Sequence, residues 1–496
     1  MNIIRIASAT FLSFVALLSA CGLALAADAR PNIVWIFVDD MSANFSCYGE
    51  KTIQTPAVDG MARDGIKFTH AFVTAPVCSP CRSALITGMY QTSIGAHNHR
   101  SGRGTEKIHL PEGIEPVPLL FKRAGYYTCI GSSPDGEARG KTDYNFEWPA
   151  SMYDGPDWTG RKDGQPFFMQ VQLHGGKLRG DGTKSGWREK ALKALGSNVS
   201  VDDVQLPPYY PRDPVILEDW AQYLDAVRYT DYQVQQVLDR LKKEGLLDTT
   251  NVFFMTDHGI SHARGKQFLY DEGMHVPFVV QGPGIKPGQV RDDLVEHIDM
   301  TATSLALAGI DIPKKMQGRN FLAADYKPRD AVFAARDRCD ETVDHIRAVR
   351  TVQFKYIRNF YPERPHMQPN KYKDNKSIVK RLRALHDEGK LDPVQELIFA
   401  PKRPTEELYD VTKDPNEIHN LAADPAYQST LVEMRSRLER WIVETGDRGA
   451  QPESEAMYDS DMKEYLGGRA KGKKAGGDDE TARNIALMKK WAKEGK

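Results

Sequence analysis

The sequence predicts an α/β protein. A large, mixed, mainly parallel sheet is sandwiched by helices, and a smaller unit follows toward the C-terminus. Three observations carry this. Apolar runs such as Pro31–Val38, Pro166–Leu173 and Asn251–Met255 are continuous rather than alternating, as in strands buried on both faces of a parallel sheet. A length of 496 residues suits one large α/β domain with a small companion, or two to four units of ordinary size. From about Pro328 the pattern changes to short strands rich in charge.

The N-terminal segment stands apart from this core. Met1-Asn2-Ile3-Ile4-Arg5, followed by an apolar run to about Ala26, reads as a signal peptide over residues 1–26. Ala24-Leu25-Ala26 fits the cleavage site and predicts an exported protein, periplasmic or secreted. Leu18-Ser19-Ala20-Cys21 also matches a bacterial lipoprotein box, which would anchor the protein to a membrane through Cys21. No later run is long enough to span a bilayer. The formal net charge of −1 gives no general basic surface for nucleic acid, so an anion site must be local. Six cysteines at scattered spacing form neither a disulfide framework nor a zinc pattern.

The elements follow in order. The first strand ends in Asp39-Asp40, at the C-terminal edge where open α/β sheets place ligands. Pro56–Gly65 predicts a short helix and Phe68–Val73 a strand. In Cys78-Ser79-Pro80-Cys81-Arg82, Pro80 suits a first helical position. That places Cys78 just before a helix N-terminus, where the dipole and free N–H groups favour an anion, with Arg82 one turn on. The polar loop Met89–Arg100 then offers His97, His99 and Arg100 to a substrate pocket. Leu119–Gly125 predicts a helix, Tyr126–Ile130 a strand, and Pro166–His174 another strand.

Arg179–Pro214 is polar, rich in Gly and Pro, and predicts a long loop. Asp219–Glu244 predicts a helix whose stripe Leu224, Val227, Val234, Leu238 and Leu241 faces the core. Asn251–Gly259 repeats the first strand's pattern, an apolar run followed by the ligand types Asp257 and His258. Asp299 predicts the N-cap of a helix over Met300–Gly309. Ala331–Ala335 predicts a strand, and Val349–Thr351 with Phe354–Ile357 a strand pair. The tail beyond about Tyr465 reads as solvated, with a final short helix.

The stretch C-S-P-C-R-S-A-L-I-T-G at Cys78–Gly88 resembles the signature of the type I sulfatases of the alkaline phosphatase superfamily. The resemblance extends over about Pro31–Asp424. It includes Pro31-Asn32-Ile33 with Asp39-Asp40, Gly140-Lys141, Thr256-Asp257-His258-Gly259, Gly265-Lys266 and Glu407-Leu408-Tyr409-Asp410. It implies an alkaline-phosphatase-like catalytic domain over residues 27–327. A C-terminal subdomain over 328–465, an antiparallel sheet plus a helix, and a polar tail over 466–496 would follow. It also implies that a formylglycine-generating maturation enzyme oxidises Cys78 to Cα-formylglycine, whose hydrate is the nucleophile. One Ca²⁺ would be held by Asp39, Asp40, Asp257, His258 and the residue at 78. Arg82, Lys141 and Lys266 would neutralise the sulfate.

The chain departs from the family pattern at several positions. Asp143 stands where relatives carry His. Either Asp143 does the proton work, or another histidine replaces it, or the polar insertion before it shifts the match. Lys177 stands at the second His of H-x-P-H, and His275 replaces a common Arg. His174, Lys177 and His258 are candidates to protonate the leaving group. Glu341 in Asp340-Glu341-Thr342 resembles a substrate-contacting acid of the heparan N-sulfatases (sulfamidases), and Arg338 and His345 flank it as further substrate contacts.

The implied activity is hydrolysis of an O-sulfate ester or N-sulfate on a sulfated carbohydrate, leaning toward the sulfamidase-like, heparan-sulfate-directed branch. A phosphodiester or phosphonate monoester hydrolase of the same superfamily is the nearest alternative. A non-catalytic glycan-binding lipoprotein with an unmodified Cys78 is the other.

Overall fold

The computed structural model describes residues 30–136, 138–181, 186–470 and 479–496. The expected signal peptide and Cys21 lie outside the described residues. Among the described residues, the first sheet has seven strands: β1 (Asn32–Val38), β2 (Ile66–Phe72), β3 (Tyr127–Gly131), β4 (Phe167–Leu173), β5 (Thr250–Thr256), β6 (Phe278–Gln281) and β7 (Gln289–Glu296). Their spatial order is β3-β4-β1-β5-β6-β2-β7, and β6 alone runs against its neighbours. This is the expected mixed, mainly parallel sheet.

Every residue of β1, β4 and β5 is buried. Alternation still sorts β1 by face: Val34, Ile36 and Val38 enter one core, and Ile33, Trp35 and Phe37 the other.

Helices cover both faces: α1 (Pro56–Asp64), α2 (Cys78–Thr87), α3 (Val117–Arg123), α4 (Trp187–Leu195), α5 (Pro214–Lys243) and α6 (His297–Leu307). The stripe Leu224, Val227, Val234 and Leu241 of α5 packs in the core of Val34 and Ile36, with Leu238 partly buried against it. Cys81, Leu85 and Ile86 of α2 pack on the opposite face with Trp35 and Phe37. Beyond them lie α7 (Ser377–Asp387), α8 (Gln428–Thr445), α9 (Glu455–Ala470) and α10 (Asp479–Lys493). The second sheet is antiparallel, with β8 (Val332–Arg336), β9 (Ile346–Arg350), β10 (Phe354–Asn359) and β11 (Glu406–Asp410) in the order β11-β10-β9-β8. Leu431, Met434, Leu438 and Trp441 of α8 pack against Val349, Tyr356 and Leu408 of this sheet.

Four expectations change. Asp299 is not an N-cap. Helix α6 begins at His297 with Glu296 as the cap, and Asp299 is the reciprocal member of a capping box whose carboxylate accepts the Glu296 N–H at 2.9 Å. Cys78 lies inside α2 as its first residue, not before it. Val77 is the N-cap, and Pro80 sits in the first turn, where its missing N–H costs no helical bond. The segment 179–214 is not one loop, because Trp187 and Ala191 are apolar at helical spacing and bury α4 in the α5 core. The tail's final helix, α10, forms as expected but is not simply solvated, since it docks through Met488 onto Tyr458 and Met462 of α9.

Candidate active site

The register of the central strands builds the site. Val38 of β1 pairs with Leu173 of β4 on one side and Thr256 of β5 on the other. The residues that follow each strand, Asp39-Asp40, His174–Lys177 and Asp257-His258, therefore emerge together at one sheet edge. Close backbone approach locks them. A Cβ on Gly175 would lie 2.3 Å from the Asp39 carbonyl oxygen, and one on Gly176 2.0 Å from that of Asp40. Only glycine lets the turn after β4 pass there, and Gly175 adopts a left-handed φ of 52°. The Gly176 N–H donates to the Asp39 carbonyl at 2.9 Å.

Helix α2 delivers Cys78 to this edge. Its Sγ lies 3.0 Å from Lys266 Nζ, 3.3 Å from His258 Nε2, 3.7 Å from Lys177 Nζ and 4.0 Å from Asp40 Oδ1. Burial alone would raise the thiol's pKa, but Lys141, Lys177, Lys266 and His258 hold it well below the ordinary thiol range.

One turn along α2, Arg82 donates to Asp39 Oδ1 and Gln172 Oε1, and lies 3.6 Å from Asp257 Oδ2. Lys177 Nζ donates to Asp39 Oδ2 at 2.5 Å, and Lys141 Nζ lies 3.5 Å from Asp39 Oδ1. Lys266 Nζ donates to Asp40 Oδ1 at 3.2 Å, and the Tyr372 hydroxyl to Asp40 Oδ2 at 3.0 Å. These cations set Asp39 far below the usual carboxylate range against its burial. Asp40 falls to about 2 in the same way, chiefly through Lys266 and Lys177.

The donor set fits a divalent cation. Asp40, Cys78, Asp257 and His258 each offer a ligand atom within 4.8 Å of the others, and all four residues are buried. Asp257 Oδ2 is buried with no hydrogen-bond partner among the described residues. Burial and the neighbouring Asp39 and Cys78 push Asp257 up to about 8 against the pull of His258 and Arg82. His258 Nδ1 donates to the Gly259 carbonyl at 2.9 Å, which aims Nε2 at the group. Asp39 stands beside this set, with both oxygens meeting Arg82, Lys141 and Lys177.

Two cavities are lined by residues that neighbour this group. One, of about 880 Å³, is lined by Arg103, Lys107, Lys141 and Asp143. The other, of about 700 Å³, is lined by Arg100, Asp340, Glu341, Tyr372 and Lys376. Arg100, whose side chain is 44% exposed, lies 3.9 Å from Asp143. Asp143 also lies 3.2 Å from Lys141 and is paired with Arg103.

The remaining predicted residues scatter. His99 is buried in the site, with a ring nitrogen within 4.8 Å of Cys78 Sγ and an Asp143 oxygen. The His174 side chain is exposed. His97 is held neutral, its pKa pushed down to about 4 by burial and Arg347. His345 stacks on Phe360 with ring centroids 3.9 Å apart. Arg338 is fully buried, paired with Glu453 and Asp461 rather than open to a cavity. Glu341 lines the second cavity and accepts from the Lys371 N–H at 2.8 Å and the Asn484 amide at 2.9 Å.

Sequence reasoning missed Tyr372, Gln172 and Lys376. Gln172 left a signal, as a polar residue inside an otherwise apolar strand. Tyr372 and Lys376 lie in a polar segment without periodicity.

Comparison with known proteins adds the following. Residues 31–310 match the family model described as Sulfatase, and residues 258–398 the one described as N-sulphoglucosamine sulphohydrolase, C-terminal. An ulvan-active sulfatase of Formosa agariphila is 34% identical over 468 residues, covering 86% of this chain and 77% of the relative. The N-sulphoglucosamine sulphohydrolase of Homo sapiens is 27% identical over 477 residues, covering 84% and 91%. A protein solved in complex with its substrate D-glucosamine-2-N,6-O-disulfate superposes with a TM-score of 0.57 at 18% identity, over 84% of this chain and 98% of that one, and shares the fold.

Proposed function

The chain belongs to the sulfatase family and is a sulfatase, and on that premise we propose that it removes O-sulfate groups from fragments of a sulfated polysaccharide. The observation that carries the reading is the setting of Cys78 at the start of α2. Lys266 and Lys177 lie 3.0 and 3.7 Å from its Sγ, with Arg82 and Lys141 behind them on Asp39. A sulfate held there meets fixed cations on several sides, as charge spreading over its oxygens requires.

The residues that would hold Ca²⁺ are Asp40, Asp257, His258 and the group at position 78, with Asp39 alongside. A bound Ca²⁺ would supply positive charge beside the reacting atoms and favour the deprotonated form of an oxygen nucleophile. Oxidation of Cys78 to Cα-formylglycine by a maturation enzyme would supply that oxygen in place of the thiol.

The chain's own side chains do the positioning. Arg82 is gripped by Asp39 and Gln172 and cannot swing away. The Tyr372 hydroxyl fixes Asp40 Oδ2 and at the same time lines the cavity that would take the sugar. That cavity mixes Arg100 and Lys376 with Asp340 and Glu341, which suits a sugar bearing both hydroxyls and acidic groups. The expected export would place the enzyme where such polysaccharides occur.

An N-sulfate is the second reading. It is favoured by the match of residues 258–398, which include Glu341, to the N-sulphoglucosamine sulphohydrolase C-terminal model.

The test is sulfate release from defined glycans, using enzyme co-produced with a formylglycine-generating partner and mass spectrometry of the Cys78 peptide. Release from O-sulfated polysaccharide fragments supports the first reading, and release only from N-sulfated glucosamine the second. Phosphate release from phosphoesters, without sulfate release by fully matured protein, would overturn both.

A further inference from the structure

We infer that His99 is the proton donor to the leaving group of this site, aimed by Asp340 and, from the C-terminal hairpin of α9 and α10, by Tyr465. The inference rests on the sulfatase reading and names a role that reading leaves open. A sugar oxygen is a poor leaving group unless a proton reaches it as its bond to sulfur breaks. Of the groups facing residue 78, Lys177 and Lys266 are committed to Asp39 and Asp40, at 2.5 and 3.2 Å, and His258 belongs to the candidate metal group. His174 is exposed.

His99 has the geometry the role needs. Its side chain is 5% exposed, and Nδ1 lies 3.1 Å from Asp340 Oδ1. Nε2 is buried with no hydrogen-bond partner among the described residues, in a ring that comes within 4.8 Å of Cys78 Sγ and the Asp143 carboxylate. A buried, unpaired ring nitrogen is costly unless a ligand meets it.

The ring is held from several directions. The His99 N–H donates to the Arg338 carbonyl at 2.8 Å, and Arg338 donates back to the His99 carbonyl at 3.2 Å. Asp340 sits at a left-handed φ of 53°, and its Oδ1 accepts the Tyr465 hydroxyl at 2.7 Å. Arg338 is anchored to Asp461 of α9 at 2.7 Å, and the Tyr458 hydroxyl donates to the Glu341 carbonyl at 2.9 Å. The hairpin therefore grips both the strap that carries Asp340 and the loop that carries His99. Asp340 also favours the charged imidazolium against burial, raising the His99 pKa above its ordinary value.

In the step, the Nε2 proton passes to the bridging oxygen of the sulfated sugar. The S–O electron pair stays with that oxygen, which departs as a neutral hydroxyl. The sulfuryl group goes to the site's nucleophile, and His99 is left neutral with Nδ1–H still on Asp340.

The test compares matured wild type with His99→Ala, His99→Gln and Tyr465→Phe on the sulfated oligosaccharide and on 4-nitrophenyl sulfate, whose leaving group needs no proton. Expected on the oligosaccharide is a fall in kcat of roughly 10²–10⁴-fold for the His99 variants with KM little changed. The fall on the aryl sulfate should be at least about ten-fold smaller. Tyr465→Phe, which alters only positioning, should show the same asymmetry in milder form. Equal losses on both substrates, or a change confined to KM, would overturn the inference.

If the wild type ignores the aryl sulfate, added imidazole replaces the comparison. Restored turnover in His99→Ala supports the role, and no restoration overturns it. Independently of activity, ¹⁵N-histidine NMR should show the His99 Nδ1–H bonded to a carboxylate in wild type and altered in Asp340→Asn. An Nδ1 unaffected by Asp340→Asn would also overturn the inference. Matured wild type that releases no sulfate from any glycan would sink the sulfatase reading itself, a distinct outcome.

Discussion

Lys177 Nζ meets Asp39 Oδ2 at 2.5 Å, across the gap between the strand ends of β4 and β1. The contact turns an unexpected lysine into a fixed charge 3.7 Å from Cys78 Sγ. Replacing Lys177 with Met removes one of the cations around residue 78 and leaves Asp39 to Arg82 and Lys141. The expected result is a fall in kcat of about 10²–10³-fold, the usual effect of removing one preorganised charge donor. Steady-state kinetics on the matured variant checks it. An unchanged kcat would place Lys177 outside the reaction.

Metal removal should be visible in the fold as well as in turnover. Asp257 Oδ2 is buried with no hydrogen bond among the described residues, and Asp40, Cys78, Asp257 and His258 crowd their donor atoms together. A cation binding only the folded state stabilises it by about 2.7 kcal/mol at one hundred times its dissociation constant. Thermal unfolding should therefore shift upward with added Ca²⁺ and downward with a chelator. In Asp257→Asn both shifts should shrink. A melting temperature indifferent to Ca²⁺ in wild type would argue for another ion or none.

Much of this was legible in the sequence where chemistry follows directly from a strand end. The uninterrupted apolar runs of β1 and β5 specify their burial, and Asp39, Asp40, Asp257 and His258 follow those runs directly. Pairings between distant segments were not legible. Tyr372 reaches Asp40 from a segment without hydrophobic periodicity, and nothing local in Met89–Arg100 indicates that Asp340 will orient His99. The α6 start was misplaced because an Asp at N3 and an Asp at the cap leave similar sequence marks, and only the position of Glu296 separates them. The tail reads as polar because it buries few side chains, among them Met488 and Asn484.

Arg338 illustrates the same gap and gives a third prediction. Its position beside Glu341 suggested a substrate contact, but its guanidinium is buried against Glu453 and Asp461. Arg338→Met leaves two carboxylates without their cation. Breaking a buried pair in this way costs about 3–5 kcal/mol. The urea midpoint should drop sharply, and the loss of activity should follow the unfolded fraction and the loosened His99 loop. A variant as stable as wild type but with raised KM would restore the substrate-contact reading.

His297 sets a pH dependence that does not involve the reaction. The imidazole is fully buried behind α2, where Nε2–H donates to the Cys81 carbonyl at 3.0 Å and Nδ1 accepts from the Thr74 N–H at 3.3 Å. Both nitrogens are satisfied in the neutral ring, and a second proton would face the Thr74 N–H. Burial accordingly pushes its pKa down to about 4. Between that value and about 6.5, the ordinary histidine value, the unfolded chain binds a proton that the native state does not. Stability from this group is therefore complete above about pH 6.5 and declines as pH falls toward about 4, by on the order of 3 kcal/mol in all. His297→Gln can offer an amide N–H and a carbonyl oxygen to the same partners without titrating. Urea midpoints measured from pH 7 to pH 4 should fall more steeply for wild type than for His297→Gln. Parallel curves would show that the buried imidazole does not govern this part of the acid limb.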